Sequence, residues 1–280
     1  MAHQQLEFYG FFHYTINTYT GKEWGDGTES PSLFFLEQFN PSQWVRAIKS
    51  AGMKGAILTC KHHDGFCLWP SRYTGHTIAA SPYKNGAGDI VKEVLEACRR
   101  EGLKFGVYLS PWDRNHPSYG QGKAYDDCFV NQLIELLTKY GEFFCVWLDG
   151  ACGEGKNGKI QQYDWLRYYD TIRRLQPDAC ISVTGPDVRW CGNEAADTRK
   201  EEWSVVPAVK CSANAKRAFK PAGCDGTGRT GKADTGQILA VGTVIGYKKH
   251  IRLPQVKLKS LELVITMCRR EAHILRVECY

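Results

Sequence analysis

The sequence predicts an α/β protein of the (β/α)8, TIM-like barrel class, and two patterns in its 280 residues support this prediction. Short, continuous apolar runs alternate with amphipathic helical segments, which is typical of parallel strands buried on both faces. Polar and aromatic residues gather directly after successive runs, at the edge where a (β/α)8 barrel builds its active site. A doubly wound sheet would concentrate its ligands at one switch point, so several contributing strand ends favour the barrel. The groups are His13, His62 to Asp64, Ser110 to Asp113, Asp149, and Trp190 to Glu194.

An aromatic run at residues 7–14 predicts the first strand, and the segment after Asn40 predicts the first helix. Asn40 suits the N-cap, Pro41 the first helical position and Gly52 the end of the helix. None of the predicted helices opens with a G-x-G-x-x-G or P-loop pattern, so a nucleotide-binding fold has no support. Further strands are predicted at 55–60, 103–110, 143–148 and 179–184, and further helices at 89–102, 125–140 and 162–176.

The charge balance and the aromatic content change near residue 208, which predicts two regions. Residues 208–280 carry 14 basic and 5 acidic side chains, whereas residues 1–207 carry 22 and 25. All eight tryptophans lie in the first region. We therefore predict a (β/α) barrel catalytic region at 1–207 and a divergent basic tail at 208–280. Two interpretations of the tail stay open: it completes the barrel, or it is disordered and leaves the C-terminal third of the barrel incomplete or irregular.

Composition argues against several classes of protein. No apolar run approaches the roughly 20 residues that a membrane-spanning helix needs. No signal peptide is visible, so we expect a cytoplasmic location, or a periplasmic or secreted one if a leader has been removed. The 12 cysteines form no C-x-x-C pair and are expected to be free thiols. The basic residues of the tail are dispersed and form no nucleic-acid-binding motif, so we predict neither a nucleic-acid nor a membrane partner.

Asp149 is the first candidate for chemistry, because it ends the apolar run FFCVWLD and precedes Gly150. A carboxylate there would lie at a pocket rim on rigid backbone, although a helix cap or a solvated loop would also explain it. Trp147, two residues earlier, points to the same side of the strand. Hydrolysis of a glycosidic bond would need a second carboxyl group. Composition does not choose among the candidates, which are Glu154, Asp187, Glu194, Asp197, Glu201 and Glu202.

Five motifs occur in order along the first three quarters of the chain. They are YGFFHYTINTYTGKEWG, CKHHDGFCLWPS, GVYLSPWD, VWLDGA and RWCGNEA. Together they resemble the family 29 glycoside hydrolases, the α-L-fucosidases, and look closest to the subgroup acting on branched α-1,3/1,4 linkages. The resemblance covers about residues 6–207 and not the tail. It implies a retaining exo-α-L-fucosidase on a TIM-like barrel, acting on a fucosylated oligosaccharide or glycoconjugate, and we expect no cofactor or metal.

The resemblance also implies roles for individual residues. The nucleophile of that family is the aspartate of W-x-D-G, which corresponds to Asp149. The acid/base of the branched-linkage subgroup is the glutamate of the G-N-E segment, which corresponds to Glu194. Glu202 is the alternative acid/base, because the position of this group varies across the family. The residues expected to bind the sugar are His13, Glu23, Trp24, His62 and His63, to which we add Trp69, Tyr108 and Trp147.

Two other functions stay open. One is a catalytically inactive fucose- or glycan-binding homologue on the same scaffold, motivated by the unmatched tail. The other is a metal-dependent hydrolase that uses His62, His63 and Asp64. Adjacent strand residues point to opposite faces, so the two imidazoles would not chelate one ion from one side unless the chain turned there. The sequence makes no prediction of the oligomeric state.

Overall fold

The computed structural model describes residues 3–183 and 186–189, together with three short strands between residues 229 and 264. The chain divides into two compact units. In the described part of the chain, the first unit contains a six-stranded sheet with four α-helices, and the second contains a three-stranded sheet.

The six-stranded sheet is parallel throughout, and its strands follow chain order. One α-helix lies between each pair of consecutive strands from the first to the fifth, so the predicted α/β class is confirmed, while the closed eight-stranded barrel stays a prediction. The strands are β1 Gly10–Phe12, β2 Gly55–Lys61, β3 Lys104–Leu109, β4 Cys145–Leu148, β5 Cys180–Val183 and β6 Val188–Arg189. The helices are α1 Pro41–Ser50, α2 Ile90–Glu101, α3 Lys123–Lys139 and α4 Trp165–Leu175. Short 3-10 turns cover Gln4–Leu6, Ile16–Thr20, Pro31–Leu33, Ile78–Ala80 and Tyr83–Gly86.

The second unit contains three described strands, β7 Arg229–Ala233, β8 Ile238–Gly242 and β9 Leu261–Val264. They pair antiparallel with one another in the order β8-β7-β9. This antiparallel pairing differs from the parallel strands that would complete a (β/α)8 barrel. The predicted division of the chain at residue 208 stays a prediction.

The helix ends follow the capping residues read from the sequence. The Asn40 side chain accepts the Gln43 N–H at 3.1 Å. The Asp89 side chain accepts the Lys92 N–H at 2.9 Å in the same way at the start of α2. Helix α4 begins three residues later than predicted, because Asp164 caps it from outside the helix. The first strand is also shorter than the predicted run, because only Gly10–Phe12 pairs with β2.

The two faces of the parallel sheet are packed differently. On the helix face, β2 contributes Ala56 and Leu58 to the main core, which also contains the buried residues of the four helices. The inner face carries a smaller cluster, of which Ile57 and Tyr108 are members. Partly buried aromatic side chains pack against this cluster, namely Tyr9, Phe11, Phe144 and Trp147. One row of strand partners on the inner face is Thr59, Tyr108, Trp147 and Ser182.

The cysteines in the described part of the chain are all free, as the sequence predicts. Most are buried, and Cys152 is exposed. Burial raises the pKa of the Cys60 and Cys67 thiols well above the ordinary value, so neither is a reactive thiolate. Among the described helices, none is long and apolar enough to cross a membrane.

Candidate active site

The candidate site lies at the carboxyl ends of β1 to β4, where the inner face of the sheet ends. His13 follows β1, His62 and His63 follow β2, and Asp149 follows β4. Parallel pairing in register brings these strand ends to one edge. The topology therefore brings together residues that lie up to 136 positions apart in the sequence.

Asp149 is held in place by its neighbours at the end of β4. The Tyr108 hydroxyl donates to Asp149 Oδ2 at 3.1 Å, and the Ala151 N–H donates to Asp149 Oδ1 at 2.6 Å. The residue is buried, with 9% of its surface exposed. Two donors aimed at a carboxylate favour its ionised form. Asp149 is therefore a carboxylate held in one orientation at the end of β4.

Tyr108 is a neutral hydrogen-bond donor to that carboxylate. Burial raises the pKa of its phenol well above the ordinary value, and the negative charge of Asp149 raises it further. The ring is 2% exposed and lies edge-on to Phe11 at 5.8 Å. Tyr108 thus orients the Asp149 carboxylate through this hydrogen bond, in addition to any contact that it makes with a ligand.

His13 packs against the same aromatic side chains, Phe11 and Tyr108. Its ring stacks on Phe11 at 4.5 Å, and its Nδ1 lies 2.7 Å from the Thr59 hydroxyl. Burial lowers its pKa, and the nearby charge of Asp149 opposes that shift. Because Thr59 occupies Nδ1, the other ring nitrogen of His13 is the one that can hydrogen-bond with a sugar hydroxyl.

His62 and His63 lie side by side, which is the alternative that the sequence left open for a chain that turns at the strand end. Their ring centroids are 4.3 Å apart, although adjacent residues on a strand would point to opposite faces. The strand ends at Lys61, and the chain then turns, with the Gly65 N–H donating to the His62 carbonyl at 3.1 Å. The turn places both imidazoles on the same side.

The two imidazoles are nevertheless in different environments. His63 Nδ1 lies 2.7 Å from the Ser110 hydroxyl. His62 Nδ1 is buried and has no hydrogen-bond partner among the described residues. Burial, and then the neighbouring imidazoles, lower the pKa of His62 to about 3, so this ring is neutral at ordinary pH. An orphaned buried nitrogen on a neutral ring is a site where a ligand hydroxyl would complete the hydrogen bonding.

Indole rings line the outer part of the site. Trp24 lies 6.1 Å from the His63 ring and is 40% exposed. Trp112 lies 4.9 Å from the same ring. Trp147 is partly buried on the inner face and meets Phe11 edge-on at 5.2 Å. Glu23 is exposed next to Trp24, and its carbonyl accepts the Asn17 amide at 2.8 Å.

Trp69 does not lie in the site, which corrects the prediction that it contacts the sugar. Its side chain is fully buried in the main core. Its Nε1 donates to Glu135 Oε2 on α3 at 3.0 Å. The chain passes from the inner face to the helix face between His63 and Trp69, so the end of the KHHDGFCLWP motif belongs to the core.

The predicted acid/base, Glu194, and its alternative, Glu202, lie outside the described residues, as do Asp197 and Glu201. Two other candidates have different contacts. Asp187 forms an ion pair with Arg173 and accepts the Ile181 N–H at 2.8 Å. Glu154 is exposed, and its carbonyl accepts the Trp112 Nε1–H at 3.1 Å.

His62, His63 and Asp64 are the residues of the metal-dependent alternative. In the regions of the chain that the structure describes, no group of three or more His, Cys, Asp or Glu side chains could hold an ion. Asp64 Oδ1 accepts the Phe66 N–H at 2.8 Å. Burial, followed by the charges of Glu29 and Asp113, raises the pKa of Asp64 to about 7.

The structure adds residues that were not singled out as site residues. Phe11 and Thr59 support His13, Ser110 contacts His63, and Trp112 lines the rim. Phe11 could have been found from the two-residue period of a strand, since it precedes His13 by two positions. Ser110 and Trp112 lie in the strand-end motif SPWD.

Known proteins match this region of the chain. The family model described as Alpha-L-fucosidase matches residues 4–204. The Alpha-L-fucosidase 1 of Arabidopsis thaliana is 47% identical over 196 residues, which cover 70% of this chain and 38% of that protein. The plasma α-L-fucosidase of Homo sapiens is 40% identical over 130 residues, which cover 43% of this chain and 27% of that protein.

Solved structures show the same similarity. A glycoside hydrolase 29 family member from an unknown rumen bacterium is 48% identical with a TM-score of 0.69, covering 74% of this chain and 40% of that chain. A glycoside hydrolase 29 fucosidase of Ruminococcus gnavus, solved in complex with fucose, is 36% identical with a TM-score of 0.63. That match covers 72% of this chain and 46% of the Ruminococcus chain. The chain thus spans less than half the length of each of these four relatives.

A carboxylate surrounded by imidazoles and indoles at the carboxyl edge of a parallel sheet, together with these matches, defines the class as the glycoside hydrolases. Within that class, the chain belongs to the α-L-fucosidase family, glycoside hydrolase family 29.

Proposed function

We propose that the protein is a retaining exo-α-L-fucosidase that releases terminal fucose from α-1,3/1,4-linked glycans. The observation that carries the proposal is the Asp149 carboxylate, oriented by Tyr108 and Ala151 at the carboxyl end of β4. This carboxylate lies within the part of the chain that matches the α-L-fucosidase family. The substrate is then a fucosylated oligosaccharide or glycoconjugate.

The proposed mechanism is a double displacement. Asp149 attacks the anomeric carbon of fucose while Glu194 protonates the departing glycosidic oxygen, which forms a covalent glycosyl-enzyme. Glu194 then removes a proton from water, and the water releases α-L-fucose. This role of Glu194, or of Glu202 in its place, rests on the family resemblance alone. It requires the two carboxyl groups to be about 5–5.5 Å apart, as retaining enzymes need.

The imidazoles and indoles are assigned to substrate binding in this proposal. His62 is neutral, and its unpaired Nδ1 can hydrogen-bond with a sugar hydroxyl, whereas His13 Nδ1 is paired with Thr59 and leaves only the other ring nitrogen for the sugar. Trp24 and Trp147 offer apolar ring surface to the methyl group and C–H face of fucose. The fucose-bound Ruminococcus relative supports the choice of sugar. The preference for branched α-1,3/1,4 linkages rests on the motif resemblance.

A fucosidase assay with the linkage varied tests the substrate. Branched trisaccharides with α-1,3- or α-1,4-linked fucose are compared with an α-1,2-linked trisaccharide, and faster release from the branched pair is expected. NMR of the first-formed fucose should show the α-anomer. The β-anomer would contradict the double displacement, because a single displacement inverts the anomeric carbon.

The rival functions predict different results in the same assay. Fucose binding without turnover would favour the inactive, glycan-binding homologue. Loss of turnover in EDTA, restored by a divalent cation, would favour the metal-dependent hydrolase. Turnover that is unchanged in EDTA is the result that we expect.

A further inference from the structure

The loop at residues 21–30 carries Trp24 but forms no helix or strand. Trp24 reaches the rim of the site, where its ring lies 6.1 Å from the His63 ring and 6.3 Å from the Trp112 ring. A tryptophan on irregular backbone has no strand to hold it in place. Its position depends on whatever attaches the loop to the rest of the site.

Contacts within the loop give it a local shape. The buried Glu29 carboxylate accepts the N–H groups of Asp26 and Gly27 at 2.8 and 2.9 Å. Lys22 and Asp26 also form an ion pair at 3.1 Å, and both side chains are exposed. Exposed pairs of this kind contribute little to stability. These contacts fix the fold of the loop, and its attachment to the site comes from another segment.

Two side chains of the turn after β3 attach the loop on the C-terminal side of Trp24, and Asn17 Nδ2 donates to the Lys22 and Glu23 carbonyls on its N-terminal side at 3.0 and 2.8 Å. Arg114 Nη1 donates to the Gly25 carbonyl at 2.8 Å, and Asn115 Nδ2 donates to the Gly27 carbonyl at 2.7 Å. The Arg114 N–H in turn donates to the His63 carbonyl at 2.9 Å. Gly27 has a φ of +83°, and a Cβ added there would lie 2.5 Å from the Arg114 carbonyl carbon. The loop and the turn are therefore in direct backbone contact.

A buried ion pair fixes the turn itself. Lys61 Nζ and Asp113 Oδ2 are 3.0 Å apart, and both side chains are buried. The other carboxylate oxygen, Asp113 Oδ1, accepts the N–H groups of Asn115 and His116 at 3.1 and 2.8 Å. Lys61 also donates to Gln132 on α3 at 2.9 Å. A buried pair of charges that are also hydrogen-bonded holds one geometry, because breaking it leaves a charge uncompensated in the interior.

We propose that Arg114 and Asn115 are positioning residues for substrate binding, because they brace the loop that carries Trp24. The Lys61–Asp113 pair sets the turn, the turn presents the two side chains, and these fix Trp24 against His63. This inference rests on the proposed function, since it assigns Trp24 to the sugar-binding wall. Neither Arg114 nor Asn115 need touch the sugar.

Steady-state kinetics on an aryl α-L-fucoside test the brace. Arg114→Ala and Asn115→Ala should each raise KM about three- to tenfold, the size of one lost hydrogen bond to a carbonyl, and kcat should change less than about twofold. A KM effect without a kcat effect marks binding that is lost equally from the ground state and the transition state. A KM within about twofold of wild type for both variants would overturn the proposal.

Matched variants separate bracing from general damage to the fold. Arg114→Lys keeps a donor and should recover part of the KM, whereas Asn115→Asp keeps the size, removes the donor and should behave like Asn115→Ala. Lys22→Ala breaks the exposed ion pair in the same loop and should leave both kinetic constants unchanged. Lys61 and Asp113 are not used for kinetics, because a buried unpaired charge would reduce folding.

A second measurement needs no turnover and separates failure of the brace from failure of the proposed function. Acrylamide quenching of tryptophan fluorescence should be stronger in Arg114→Ala/Asn115→Ala than in wild type, and Trp24→Phe should remove the difference. Unchanged quenching overturns the brace even if the protein is a fucosidase. If wild type does not hydrolyse the fucoside, the proposed function fails, and stronger quenching would still support the brace.

Discussion

The Glu135 carboxylate on the helix side of the sheet and the His62 imidazole at the edge of the inner face differ in how their hydrogen-bonding atoms are satisfied. On the helix side, the Glu135 carboxylate accepts the Trp69 indole at 3.0 Å, the Ser71 hydroxyl at 2.8 Å and the Arg72 N–H at 3.0 Å. At the inner edge, the His62 Nδ1 is buried and has no partner among the described residues. Both regions are rich in aromatic and ionisable residues, so composition does not separate them.

The comparison teaches that saturation of hydrogen bonds separates the Glu135 cluster from the His62 imidazole, although it does not separate the two faces as wholes, because Trp165 Nε1 in the main core also has no partner among the described residues. A polar group that the protein itself satisfies contributes to the fold. A group held rigidly with unused hydrogen-bonding capacity is prepared for a ligand. Trp69 and Trp24 illustrate the difference, since one indole is fully buried with an acceptor and the other is 40% exposed at the rim.

The largest expected effect is on Asp149, which tests the inner edge as the place of chemistry. Asp149→Asn keeps the shape and an acceptor for the Ala151 N–H but loses the charge that attacks the sugar. We expect kcat for an aryl α-L-fucoside to fall by at least about 1,000-fold, as when a nucleophile is removed. Thermal unfolding should stay close to that of wild type. Substantial turnover by this variant would remove Asp149 from the nucleophile role.

The next largest effect is expected on the helix side, from Glu135→Ala. This change leaves two buried donors and one part-buried donor without an acceptor, so the free energy of unfolding should fall by about 3–5 kcal/mol. Denaturant unfolding measures the loss. Glu135→Gln keeps one acceptor oxygen and should lose less. If the folded Glu135→Ala protein showed a raised KM, the helix side would be part of the site. The assignment of the Glu135 cluster to the fold would then be wrong.

Much of the fold was predictable because its signals are local. The caps at Asn40 and Asp89 and the apolar run of β2 follow from single residues and short patterns. The placement of Asp149 at a strand end was equally local, as the sheet register shows. The start of α4 was less predictable, since the competing cap at Asp164 shifts it by three residues.

The candidate site was predictable only as far as the chain stays in a regular strand. His62 and His63 point to the same side because the strand ends at Lys61 and the chain then turns. The two-residue alternation of side chains along a strand does not predict such a turn. Trp69 was misassigned because the same segment crosses to the helix face, where Glu135, 66 positions away, accepts its indole. The attachment of the Trp24 loop by Arg114 depends on contacts 89 positions apart in sequence, which short motifs do not encode.

Asp64 shares features with both the Glu135 cluster and the His62 imidazole. It is buried, yet its Oδ2 has no hydrogen-bond partner among the described residues. Its pKa is about 7 in the folded protein against 3.8 ordinarily, mainly because of burial. Between about pH 4 and pH 7 the unfolded chain loses this proton and the folded chain keeps it, so the stability of wild type falls as pH rises. Asp64→Asn does not titrate and should escape this loss.

The measurement is the free energy of unfolding of both proteins from pH 4 to pH 8. The advantage of Asp64→Asn over wild type should grow across that window by up to about 4 kcal/mol and level off above pH 7. Asp170→Asn, which removes an exposed carboxylate on α4, is the matched control for the loss of one charge. A difference that is constant with pH would mean that the Asp64 carboxylate is ionised and satisfied, as on the helix side.

The smallest effects are expected from two conservative tryptophan changes, one on each face of the sheet. Trp69→Phe should leave KM for the aryl fucoside within about twofold of wild type, because this indole contacts the core and Glu135 rather than the sugar. It should lower the free energy of unfolding by about 1–3 kcal/mol, since the Glu135 carboxylate loses a donor. Trp147→Phe, on the inner face, should instead raise KM about three- to tenfold with a smaller change in stability. Equal effects of the two changes on KM would show that position relative to the sheet does not decide the role of an aromatic residue here.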